Sequence, residues 1–373
     1  MSVEPRPAGY RNGIVPLVDA ALLPDGPGRA AAVRSAHRWY EHLIGLWSCA
    51  IIEASADLGL FEALARGPQT SADLAAAIEA DSRATGVLLD ALYAYELVGR
   101  GRGDDGAPVY TLTEDAQACL LPGELFTLAG KIGQDRRFAW SAWRDLASAV
   151  RSGSLDAGGT EQRNQLSDAD YEVLVRSLNF WAPPVVDVLA GALADTPGWA
   201  PRRMLDVGCG SGVYSHLLIQ RFAGLSATGL DTERIVPIAA EQAHRLGVAA
   251  AFTGVAGDFF AGDWGSGFDL VFFANIFHLQ TPESARFLLA KAATALADDG
   301  VIAVVDHILD DNLAPQTSQD RFFRLFATLM LATGGGDAYD VTDYDAWLAQ
   351  CGLRRCALLD TPMHRVLLAR RTG

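Results

Sequence analysis

The stretch Met204-Leu205-Asp206-Val207-Gly208-Cys209-Gly210-Ser211-Gly212-Val213-Tyr214-Ser215 constrains this chain more than any other. Apolar residues lead into an acid, a glycine-rich turn follows Val207, and residues 213–222 read as a helix. A strand, a tight glycine turn and a helix start make a site for a nucleotide-like ligand, because a residue without Cβ lets the backbone approach the ligand. The glycines fall at 208, 210 and 212, as G-x-G-x-G. A dinucleotide fingerprint needs its third glycine at 213, which is Val213.

Helix and strand patterns alternate beyond this turn. Residues 226–231 read as a strand ending in Asp231, 19 residues past Gly212, where an acid can hold ribose hydroxyls. Residues 251–260 read as a third strand ending in Asp258 and Phe259, an acid for an adenine amino group and an aromatic to pack on its ring. Residues 268–275 read as a buried strand, and residues 301–305 as another ending before Asp306 and His307. Helices are expected at 235–246 and 283–297. Segments 357–359 and 366–369 flank a turn at Thr361-Pro362 and read as a closing hairpin. The alternation predicts an α/β fold, a doubly wound sheet with its ligand at the carboxyl ends of the strands. The glycine spacing, with Asp206 before it, favours S-adenosylmethionine (SAM) over NAD. SAM carries no phosphate, and its ammonium and sulfonium charges suit a nearby acid.

The chain before residue 200 reads differently. Residues 1–27 are rich in Pro and Gly and are expected to form an arm. Residues 29–65 are helical, with a break at Asp57-Leu58-Gly59-Leu60. Their apolar stripe includes Trp39, Leu43, Leu46 and Trp47, the kind of face that packs on a second subunit. Helix starts at Thr70-Ser71-Ala72-Asp73 and Asp81-Ser82, then a Gly/Asp turn before residues 109–112, give helix, helix, hairpin: a winged-helix pattern. Across residues 67–114 three arginines face eight acids, the wrong sign for phosphate contacts, so a dimerisation scaffold is preferred over a nucleic-acid reader. Residues 119–185 are helical and aromatic, and Phe138 and Trp143 are candidates for an apolar pocket wall. A net charge of -15 argues against nucleic acid and anionic membrane as partners. No membrane span or signal region is expected, and five scattered cysteines point to reduced thiols in a cytoplasm.

From about residue 35 onward the chain resembles the SAM-dependent small-molecule O-methyltransferases, including the plant caffeate-type and acetylserotonin-type enzymes and bacterial polyketide-tailoring relatives. The likeness rests on Leu205-Asp206-Val207-Gly208-Cys209-Gly210-Ser211-Gly212, Gly257-Asp258-Phe259-Phe260 and Ala274-Asn275-Ile276-Phe277-His278, with residues 301–309 and Met330-Leu331-Ala332 adding to it. The resemblance implies a Rossmann-like class I methyltransferase sheet behind an N-terminal, mostly helical winged-helix dimerisation domain, a homodimer, SAM as cofactor and a phenolic acceptor. The expected division is a dimerisation domain at 28–118, a helical linker and pocket wall at 119–185, and a catalytic domain at 186–373. Gly208 and Gly210 then fall on the cofactor loop, Asp231 on the ribose-binding acid, and Asp258 and Phe259 on the adenine contacts, with Asp206 and Asn275 assigned to the same ligand. His278 falls on the general base, Asp306 on the acid that holds it, and Met330 on a substrate-pinning methionine. Asp337 and Asp340 are candidates for a second supporting acid. Plant members read His-Asp-Trp where this chain has His278-Leu279-Gln280, and a cofactor-binding Lys where it has Ala274.

A neutral phenol, with a pKa of about 10, is a poor nucleophile. An imidazole that takes its proton is typically worth about 10²- to 10⁴-fold. Carbon methylation beside an activated position uses the same base, and relatives that bind SAM without transferring methyl share the fold. Both readings stand beside O-methylation. No metal is expected, since His278 and His307 alone make a thin ligand set.

Overall fold

The computed structural model describes residues 17–153, 168–195, 199–310, 317–333 and 336–372. They fall into two units that divide after Arg136.

The first unit runs α1 (Arg29–Asp57), α2 (Leu60–Leu64), β1 (Gln69–Thr70), α3 (Ser71–Ala77), α4 (Ser82–Ala94), β2 (Val98–Arg102), β3 (Pro108–Leu112), α5 (Glu114–Leu120) and α6 (Ala129–Gln134). α1 stops where expected, and Gly59, with φ of 67°, turns the chain into α2. Thr70 and Asp73 form a reciprocal capping box at the start of α3, and Asp81 caps α4 through the Ala84 N–H. β2 and β3 pair antiparallel, with β1 on the far side of β3, so two helices and a hairpin stand together. Leu60, Phe61, Leu74, Leu89 and Leu92 fill the core between them. Opposite, α1 leaves Trp39 61%, Leu43 70% and Trp47 55% exposed, an apolar face of unusual extent. Of the expected N-terminal arm, residues 1–16 lie outside the described residues, and Ala20–Leu22 form one 3₁₀ turn.

The second unit opens with α7 (Trp140–Ser152), α8 (Asp168–Ser177) and α9 (Ala182–Ala194). β4 (Arg203–Val207), α10 (Val213–Arg221), β5 (Ser226–Asp231), α11 (Val236–Arg245) and β6 (Phe252–Ala256) follow. β7 (Phe268–Ala274), α12 (Pro282–Ala295), β8 (Leu296–Asp306), α13 (Ser318–Thr333), α14 (Val341–Gln350), β9 (Leu353–Asp360) and β10 (Arg365–Arg371) complete it. The sheet order is β6-β5-β4-β7-β8-β10-β9, parallel except that β10 runs antiparallel to both neighbours. Alternation by twos assigns each side chain to a face. Leu205, Val207, Val271, Phe273, Ile302, Val304 and Leu367 pack under α12 and α14. Met204, Leu270, Phe272, Ala303, Val305, Val366 and Leu368 pack under α9, α10 and α11.

Three boundaries differ from expectation. The third strand ends at Ala256, and Asp258 and Phe259 lie in the turn beyond it, because Asp258 Oδ1 accepts from the Phe260 N–H and bends the chain. α12 ends at Ala295, and Leu296 is already extended and begins β8. One stretch, Tyr171–Ala194, has the length and apolarity of a membrane span by composition alone. In the fold it is broken by the turn Asn179–Trp181, and Ala182, Val185, Val186 and Leu189 face the sheet core.

Candidate active site

The strand order reverses between β5 and β7, on either side of β4, and the loops after β4 and β7 flank the crevice that this reversal opens. The glycine turn lines one side. Gly208, Gly210 and Gly212 all adopt left-handed φ, at 70°, 55° and 73°. A Cβ on Gly208 would lie 2.4 Å from Ile276 Cδ1, so the β7 loop closes on backbone that only glycine supplies. The turn is pinned from behind. Gly208 and Cys209 donate to the Leu230 carbonyl, and Gly210 N–H donates to Asp231 Oδ2 at 2.9 Å. Ser211 is held in a ring with Asn179 and Gln242, through bonds of 2.6, 2.9 and 3.1 Å.

The expected cofactor residues divide in two. Asp231 stands at the end of β5, its carboxylate also accepting from Thr232 N–H at 2.7 Å, and burial pushes its pKa up. The Phe259 ring reaches within 3.8 Å of the Cβ position of Gly208, and Asp258 is exposed beside it. Asp206 is 1% exposed and receives the Ser215 hydroxyl from α10. Burial raises its pKa to about 7. Asn275 adopts φ of 58°, uncommon for a residue with a side chain. Its Oδ1 accepts from His364 Nε2 at 2.8 Å, and its amide reaches the Tyr214 hydroxyl at 3.5 Å. Asn275 therefore joins three segments far apart in sequence.

His278 lies in the 3₁₀ turn Phe277–Leu279, just past β7. Asp306 ends β8, the neighbouring strand, so parallel pairing sets the two side by side. His278 Nδ1 is 2.8 Å from Asp306 Oδ1, and the His278 backbone N–H donates to Oδ2 at 3.1 Å. His307 N–H also donates to Oδ1, at 2.8 Å. Burial pushes the Asp306 carboxyl up, but the charge and hydrogen bonds of His278, with those of His307, outweigh it and hold the carboxyl well below the usual carboxylate range. The carboxylate thus faces Nδ1–H, which leaves the lone pair on Nε2, and Nε2 has no hydrogen-bond partner among the described residues.

The ring of His307 stacks on Phe326 at 3.7 Å, and Phe326 meets the His278 ring edge-on at 5.0 Å. Phe326 is on α13, anchored at its start by the buried Arg365–Asp320 pair at 2.9 Å. Met330 follows one turn later on the same helix, buried. Trp143 is 43% exposed on α7, which lies against α13, and the Phe138 side chain lies outside the described residues. Asp337 comes beside His278 by its backbone, donating to the His278 carbonyl at 2.9 Å, while its carboxylate caps Ala338. Asp340 caps α14 through Thr342 and is not brought to His278. His278, Asp306 and His307 place three possible metal-ligand atoms within 4.8 Å of one another. Two of them already share a hydrogen bond shorter than the spacing of ligands around one ion, about 3 Å at bond lengths of about 2.0–2.1 Å.

Sequence reasoning missed Tyr214, Ile276, Phe326 and His364. Each is set by contacts between segments distant in sequence, and only Tyr214, inside the glycine stretch, and Ile276, inside the Ala274–His278 stretch, offered a signal.

Residues 40–122 match the O-methyltransferase dimerisation domain, and residues 198–354 match the O-methyltransferase domain. Among similar proteins is the 3-hydroxy-5-methyl-1-naphthoate 3-O-methyltransferase of Streptomyces sahachiroi, 26% identical over 83% of this chain and 86% of the relative. The mitomycin biosynthesis 6-O-methyltransferase of Streptomyces lavendulae is 28% identical over 89% of this chain and 93% of the relative. The fold matches that of human N-acetylserotonin methyltransferase in complex with SAM, with a TM-score of 0.76 and 22% identity, covering 94% of this chain and all of that one. A glycine turn that a Cβ would fill, with an acid at the end of the next strand, fits the SAM implied by this family. The chain belongs to the SAM-dependent O-methyltransferases, with an O-methyltransferase dimerisation domain preceding a class I methyltransferase sheet.

Proposed function

We propose that the enzyme methylates a phenolic hydroxyl on an aromatic or polyketide-like natural product, with His278 as general base. The observation that carries this reading is the His278–Asp306 bond of 2.8 Å at Nδ1, with Nε2 unpartnered among the described residues. Bound SAM supplies a methyl already activated by its sulfonium. The work left to the chain is to align the acceptor and to accept its proton. His278 holds that proton at Nε2, and Asp306 stabilises the imidazolium and fixes the ring. Gly208, Gly210 and Asp231 hold the cofactor, with Asp231 on the ribose and Asp258 and Phe259 on the adenine. Asp206 supports the turn from beneath, through Ser215 on α10. Asn275 borders the same ligand, and Met330 and Trp143 wall the acceptor side, with Phe138 assigned there on sequence grounds.

The exposed apolar face of α1 supports a homodimer through the first unit. All five cysteines are free, which fits work in a reducing cytoplasm.

Methyl-deuterated SAM incubated with a panel of phenols and polyketide-like aromatics tests the reading by mass spectrometry. A labelled aryl methyl ether is expected. Label on carbon would replace the phenol reading with carbon methylation. Product mass changes without label would mean that the bound cofactor does not donate its methyl.

A further inference from the structure

The turn after β6 carries Asp258 and Phe259, and its backbone has a feature that the reaction does not explain. The carbonyls of Phe259, Phe260 and Gly262 converge on one point, where they would repel one another. Lys291, reaching over from α12, places its ammonium at that point and donates to all three, at 2.8, 3.2 and 2.6 Å. Its three protons are thereby spent, so the ammonium has none left for a ligand. Trp264 Nε1 also donates to the Phe259 carbonyl, at 3.0 Å, and the indole ring lies 4.8 Å from the ammonium. The same turn orients Asp258, whose Oδ1 accepts from Phe260 N–H at 2.8 Å, and presses Phe259 toward Gly208.

We propose that Lys291 is the positioning residue of the adenine-binding turn. It sets the affinity and base selectivity for SAM without touching the cofactor. The inference rests on the reading of Asp258 and Phe259 as adenine contacts. Without the ammonium the three carbonyls lose a common partner, the turn relaxes, and the acid and the ring it carries lose their register with the glycine turn. A group that merely stabilised the fold would weaken every cofactor analogue alike. A group that positions the adenine turn weakens the adenine-bearing ligand selectively.

The test is calorimetric titration of the full chain with S-adenosylhomocysteine and with its inosine counterpart, in which the adenine amino group is replaced by oxygen. Lys291→Met, which keeps the stem and loses the ammonium, should raise the Kd for the adenine ligand about tenfold. It should weaken the inosine ligand, which keeps only the ring contact, by less, so that the selectivity ratio falls. Lys291→Gln, which keeps an uncharged amide with two donors for the carbonyls, carries the same test if Lys291→Met does not fold. In an Asp258→Ala background the Lys291 substitution should no longer change the ratio between the two ligands. Equal weakening of both ligands, or no weakening in a folded variant, overturns the proposal. If Asp258→Ala alone leaves both affinities unchanged, the adenine reading itself has failed, a result distinct from failure of the Lys291 clamp.

Discussion

Replacing His278 by Asn removes the proposed base while keeping a side-chain amide that can donate to Asp306. That choice follows from the geometry. Asp306 is 1% exposed, and His278→Ala would leave its buried carboxylate without the Nδ1 hydrogen bond, with only the backbone donors and His307 beside it, so that lost stability would blur the activity readout. The loss of turnover can be worked from the acceptor. A phenol with a pKa of about 10 is ionised to roughly one part in a thousand at pH 7, so an enzyme without a base falls about 10³-fold there. The defect should shrink about tenfold per pH unit, reaching about tenfold at pH 9, as solvent ionises the acceptor instead. Asp306 stays ionised throughout, because its pKa is held below the carboxylate range and its stabilising contribution is lost only as pH falls through that value. The assay is single-turnover transfer of deuterated methyl at saturating SAM from pH 6 to 9.5, with cofactor affinity measured alongside by calorimetry. A defect that does not change with pH, or turnover equal to the parent, would refute the base assignment.

Asp206→Asn should abolish a pH dependence of stability. The folded chain keeps a proton on Asp206 up to about pH 7 that the unfolded chain releases near pH 4, so parental stability falls by up to about 1.4 kcal/mol per pH unit across that window. Urea melts at pH 5 and pH 8 would expose the slope, and an equal slope in the variant would contradict it. Gly208→Ala should weaken SAM binding at least tenfold, since its Cβ meets Ile276 and the left-handed backbone costs about 1–2 kcal/mol; calorimetry reads the change, and an unaltered Kd would remove the turn from the cofactor site. Leu43→Glu with Trp47→Glu should convert the proposed dimer to a monomer in sedimentation velocity; a parent that is already monomeric would refute the dimer, and a variant that stays dimeric would place the interface elsewhere.

What the sequence could reveal was local. The acid at the end of β5 and the glycine turn before it were legible because a strand, a turn and a helix follow one another within thirty residues. The alternation at Met204-Leu205 and Leu270-Val271-Phe272-Phe273 announced a sheet covered on both faces. The His278–Asp306 pair was legible only through family resemblance, since 28 residues and a helix separate the partners and parallel pairing of β7 with β8 brings them together. Asn275 was read as a ligand contact; its side chain also joins Tyr214 and His364, 61 and 89 residues away, and no periodicity reports bonds of that range. Lys291 falls within the helix expected over 283–297, where nothing in the sequence sets it apart. The carbonyls it gathers belong to a turn whose shape depends on Asp258.

The place of β10 has a consequence for how the enzyme is made. It lies inside the sheet, between β8 and β9, though it is the last of the seven strands to be synthesised. Until it inserts, β8 presents an open edge of apolar residues, Val301 to Val305, to other nascent chains. His364, just before that strand, also supplies the bond that holds Asn275 in its left-handed turn, three residues ahead of His278. Assembly of the His278 turn is therefore coupled to completion of the sheet. A chain stalled before residue 364 should accumulate as an aggregation-prone, SAM-dependent methyltransferase in name only, with its glycine turn built and His278 not yet set.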